Sequence, residues 1–61
     1  MKDQDIILAA YQDTIKQVYT VFFNSCAAAE TPQDQQQAEQ LFVTGVTTAR
    51  KIRDRALAIL P

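Results

Sequence analysis

Histidine and tryptophan are absent from this 61-residue chain, and cysteine, methionine and glycine occur once each. Without an imidazole the commonest general base and metal ligand is missing. With Cys26 alone, no disulfide can form within the chain and no second thiol completes a zinc site. Proline stands only at positions 32 and 61, so Pro32, Gly45 and Pro61 are the sole punctuation marks. That scarcity excludes a turn-rich all-β chain and favours long unbroken elements. Long apolar runs are missing too. Ile6 to Tyr11 is six residues long, against the roughly 20 that span a bilayer. The opening Met1-Lys2-Asp3-Gln4-Asp5 is mixed in charge, unlike a secretory signal, and a lone reduced thiol suits a cytoplasmic protein.

Apolar residues make up 48% of the chain and charged residues 21%, the composition of a small globular domain over residues 1–61. Such a chain buries only about 60% of its unfolded surface and usually needs disulfides, a metal or a partner chain. With the first two unavailable, a partner chain is the remaining route.

Glu30-Thr31-Pro32-Gln33-Asp34 is the clearest boundary. Thr31 is placed as an N-cap, its hydroxyl accepting from free N–H groups two or three residues on. Pro32 at the first helical position sacrifices no hydrogen bond, and Asp34 suits the positive end of the helix dipole. The Ala-rich stretch before it is helix-forming. The expectation is an all-α hairpin, with helices over about 5–29 and 32–60 and a connection near 30–31. A connection this short makes the helices antiparallel neighbours.

Periodicity supports the same reading. Leu8, Tyr11, Ile15, Val18, Phe22, Ser25 and Ala29 follow one another at alternating spacings of three and four, as do Ala38, Phe42, Gly45, Ala49, Ile52, Ala56 and Ile59. Both are heptad seams. Laid together with partner numbers adding to 67, they set Phe22 against Gly45, Val18 against Ala49 and Tyr11 against Ala56. Large residues then nest over small ones. The β-branched and aromatic stretches 18–23 and 42–48 would suit strands by propensity, but they continue the heptads without a phase break, so helix is expected.

The seams leave Ile7, Tyr19, Val21, Phe23, Leu41, Val43, Val46, Leu57 and Leu60 outside them. A free hairpin would show these to water as larger patches than soluble monomers usually carry. Two hairpins packed as a four-helix bundle would cover most of them. These nine residues are therefore the expected dimer or partner interface.

Chemistry is sparse. Asp3 and Asp5 point to different sides of a helix, and Asp34 and Glu39 are five apart, so neither is a working carboxylate pair. No glycine loop cradles a phosphate, and nothing stands ready to activate Ser25 or Cys26. No catalytic, metal or cofactor-binding residue is expected. Arg50, Lys51, Arg53 and Arg55 place four cations within six residues, enough for phosphate contacts. They fall on different sides of a helix, Asp54 interrupts them, and no aromatic is interleaved for base stacking.

In length and heptad layering the chain resembles the Rop family of plasmid copy-control RNA-binding proteins, which are dimeric four-helix bundles. The likeness is one of architecture and carries over no residue. The expected function is a non-catalytic homodimer that binds another protein. One alternative is a Rop-like RNA-binding regulator using the basic end of the second helix. Another is an accessory subunit docked on a larger complex.

Overall fold

The second helix begins at the expected cap. In the computed structural model, which describes residues 2–61, the Asp34 N–H donates to Thr31 Oγ1 at 3.1 Å. The Gln35 N–H donates to the Thr31 carbonyl, also at 3.1 Å. Thr31 itself is extended, and Pro32 follows as the first residue of a helix that runs to Ile59. The first helix, α1, covers Asp3–Ala28, and the second, α2, covers Pro32–Ile59. At the end of α1 the Ala29 N–H donates to the Cys26 carbonyl at 3.2 Å, tightening the last turn before the chain reverses through Ala29–Thr31. The start of α1 lies two residues earlier than expected. There the Asp5 N–H donates to the Lys2 carbonyl at 3.0 Å, and Asp3 and Asp5 occupy the dipole-favoured first turn.

Both β-branched stretches are helical, and no strand occurs among the described residues. The local accommodation is seen only in α1: the hydroxyl of Thr20, in the first stretch, donates to the Lys16 carbonyl at 2.9 Å, as that of Thr14 before it does to the Ala10 carbonyl at 3.1 Å. These groups are satisfied within the helix. The rest is tertiary, since the two helices lie side by side along their length.

The register differs from the expected one. Phe22 meets Phe42, with ring centroids 4.5 Å apart and planes at 37°. The Arg53 guanidinium lies 4.5 Å from the centre of the Tyr11 ring. A Cβ built on Gly45 would meet Val18, its Cγ1 3.0 Å away, and not Phe22. Partner numbers thus add to 63 or 64 instead of 67. The physical reason is the position of the reversal. A sum of 67 centres it inside the first turn of α2, whereas the Thr31 cap fixes the turn earlier. The correction slides α2 by about one helical turn, which keeps the same face inward and changes every partner.

The seams also drift toward their open ends. Along the seam the half-buried or buried residues run Ile7, Tyr11, Ile15, Val18, Phe22, Ser25, Ala29 on α1 and beyond it, and Ala38, Phe42, Gly45, Ala49, Arg53, Ala56, Leu60 on α2 and beyond it, with Cys26, Val46 and Leu57 half-buried at its flank. Leu8, Ile52 and Ile59, expected inside, are exposed, Ile52 at 64% and Ile59 at 70%. A straight helix turns by 3.6 residues, so a strict heptad slips by about 20° per repeat. Near the connection the two periods agree. Two heptads away the inward position has moved from Leu8 to Ile7 and from Ile52 to Arg53.

Packing two helices produces little interior. Only Ala38 and Ala49, at 5% and 9% exposure, are buried among the described residues. The Cα extents are 48 × 17 × 6 Å and the radius of gyration is 14.4 Å, against about 10.5 Å for a compact chain of this length. The accessible surface is 5057 Å² for 6.8 kDa, where a compact monomer of that mass would show about 4,000 Å². The molecule is a two-helix slab with two broad faces and an excess of surface.

Candidate protein-docking surfaces

Helical spacing sorts the outlying apolar residues onto those two faces. On one, α1 contributes the strip Ile7, Ala10, Thr14, Gln17, Val21, at spacings of three and four, and α2 contributes Leu41, Gly45 and Ile52. Two shallow grooves of about 240 and 300 Å³ run along this face and meet at Thr14. The first is lined by Ile7, Ala10 and Ile52, the second by Gln17, Val21 and Leu41, with Gly45 at its floor. Arg53 reaches the edge of the first groove from the seam. The strip residues themselves carry no charge, and the Thr14 hydroxyl is already satisfied by Ala10. Covering this face would strand no donor at Thr14, while the Gln17 amide would need a partner from whatever covers it.

The opposite face is of a different kind. Tyr19 and Phe23, exposed at 56% and 60%, lie one turn apart with ring centroids separated by 6.5 Å. By helical phase, Leu8 and Cys26 on α1 share this side, as do Val43, Val46 and Leu57 on α2. Val43 is exposed, whereas Val46, Leu57 and the free thiol of Cys26 are half-buried. Charges are interspersed: Glu39 and Arg50 lie on the same flank of α2. Leu60 stands apart from both faces, at the open end beside Lys2, Asp3 and Gln4.

The nine residues expected to form one interface are therefore divided. Ile7, Val21 and Leu41 belong to the grooved face, and Tyr19, Phe23, Val43, Val46 and Leu57 to the aromatic one. Sequence reasoning missed Ile52, which the strict heptad placed inside. Allowing for a 3.6-residue period would have found it.

The four cations do not converge. Arg50, Lys51 and Arg55 are exposed; Lys51 and Arg55 stand one turn apart on one side of α2, and Arg50 lies about 100° away from Lys51 on another. Arg53 is occupied: its Nε donates to Asp54 Oδ1 at 2.9 Å while its guanidinium covers the Tyr11 ring. The hydrogen bond to Asp54 holds the Arg53 pKa above its ordinary value, outweighing the opposing effect of partial desolvation. Arg53 stays charged as a structural cation over the aromatic seam.

Among the described residues, no three Cys, Asp or Glu side chains come together in a way that could hold a metal ion. Neither helix is both long and apolar enough to cross a membrane. Compared with protein-family models, with curated proteins and with solved structures, the chain matches none.

Proposed function

We propose that the protein is a homodimeric helical interaction module that binds another protein through its aromatic face. The observation that carries this reading is the exposed Tyr19–Phe23 pair on a slab with almost no interior of its own. Tyrosine and phenylalanine are enriched where proteins recognise one another, because they offer large contact areas at low conformational cost. The interspersed Glu39 and Arg50 would give such a surface a polar rim and a preferred orientation. The separation of Arg50 from Lys51 and Arg55, with Arg53 engaged internally, favours this reading over a phosphate-tracking one.

The test is comparative capture from the source lysate with quantitative mass spectrometry. Wild-type protein and the double variant Tyr19→Ser, Phe23→Ser are used as baits, each with its helix content checked by circular dichroism. A protein retained by wild type and lost from the variant supports the reading. Identical captured sets from two equally helical baits overturn it.

A further inference from the structure

Resting on the homodimer reading, we infer that a second copy of this chain covers the grooved face, with the two hairpins antiparallel so that their connections lie at opposite ends. Three observations lead there.

The first is area. The chain exposes about 1,100 Å² more than a compact protein of its mass. A stable interface removes about 800 Å² or more per partner. One broad face of the slab, 48 by 17 Å between Cα extremes, is about 800 Å² in plan. Covering one face once with a like slab therefore brings the chain close to ordinary compactness, and leaves the other face free.

The second is the chemistry of the face. The centres of interfaces are depleted of charge, and the strip Ala10, Thr14, Gln17, Val21 with Leu41 and Ile52 has none. Small residues lie at its middle, Gly45 and Thr14, where a two-fold axis would bring the copies nearest. Along the strip, Val21 and Leu41 stand on one side of Thr14, and Ala10 and Ile52 on the other. A two-fold lying between the copies, parallel to the face and running across the helices at Thr14, sets each pair against the other copy's opposite pair. Branched side chains then meet a stretch that includes a small one. A parallel arrangement would set each pair on itself.

The third is charge along the long axis, and it selects the orientation. Residues 17–49, the half holding the connection, carry Glu30, Asp34 and Glu39 and no lysine or arginine, a net −3. The remaining half carries all six cations against Asp3, Asp5, Asp13 and Asp54, a net +2. Antiparallel copies bring each acidic half over a basic one. Parallel copies stack like on like, which costs affinity and encounter rate.

Light scattering on the intact chain, with circular dichroism, separates the outcomes. Wild type is expected at twice the chain mass, Tyr19→Arg likewise, and Thr14→Arg at one chain mass. A wild type that is helical and of single mass at every concentration overturns the homodimer reading and this inference with it. A dimeric wild type whose dimer survives Thr14→Arg and is broken by Tyr19→Arg overturns the face assignment alone. Because a dimer-less hairpin could also lose its helices, orientation is read independently. With Cys26→Ser as background, spin labels on Glu30→Cys should lie far apart, near opposite ends of the 48 Å body. A distance under about 20 Å, less than half that length, overturns the antiparallel arrangement.

Discussion

Gly45 lies against Val18 so closely that a methyl group on the glycine would stand 3.0 Å from Val18 Cγ1 and 3.4 Å from Cγ2. Glycine in a helix interior costs about 1 kcal/mol relative to alanine, and α2 carries that cost at the point where the helices approach. Gly45→Ala should therefore gain less than about 1 kcal/mol, or lose stability, because Val18 must shift to admit the methyl. In a Val18→Ala background the same substitution should recover the propensity gain of about 1 kcal/mol. Urea unfolding of the four proteins at one fixed concentration measures the coupling. Additive effects would show that Gly45 does not face Val18.

Phe22 and Phe42 bring two rings together across the seam, their centroids 4.5 Å apart. A double-mutant cycle with Phe22→Leu and Phe42→Leu should give a coupling of about 0.5–1.5 kcal/mol beyond the apolar area each removes. The expected register of 67 would give none, since it placed Ser25 against Phe42 and Gly45 against Phe22. The cycle therefore tests the register as well as the ring contact.

Thr31→Ala removes the oxygen that accepts from the Asp34 N–H. The loss should be about 1 kcal/mol, because that donor then has no partner but water. Thr31→Ser keeps the hydroxyl and should stay within a few tenths of wild type. Thermal unfolding followed at 222 nm distinguishes the two.

Arg53 is expected to behave as a packing residue. Arg53→Gln should lower the thermal unfolding midpoint through the lost cation–π contact with Tyr11, and the effect should largely vanish in a Tyr11→Leu background. If Arg50, Lys51, Arg53 and Arg55 acted as one RNA-binding set, structured RNA would be retarded at low salt and released steeply as salt rises. The divided placement predicts no specific retardation in a gel-shift titration.

Much of this molecule can be read from its residues, and the limits are instructive. The cap at Thr31 and the scarcity of Gly and Pro lead directly to two helices and a short reversal, because these are local steric and hydrogen-bonding facts. The seam residues nearest the connection, such as Phe22, Ser25, Ala38 and Phe42, were legible from periodicity. Leu8, Ile52 and Ile59 were not, because a heptad is the signature of supercoiled helices and these two keep closer to a 3.6-residue period. The apolar residues left outside the seams were legible as a set, but their division between two faces depends on angular position to within tens of degrees.

The sequence by itself determined that the chain is two helices folded back at Thr31, since propensity, capping and apolar spacing act within a few residues. Only the tertiary structure decided that Val18 meets Gly45 and that Phe22 meets Phe42. A slide of one helical turn leaves the same side chains facing inward, so the pattern cannot distinguish the registers. The length of the connection and the fit of particular side chains across it do.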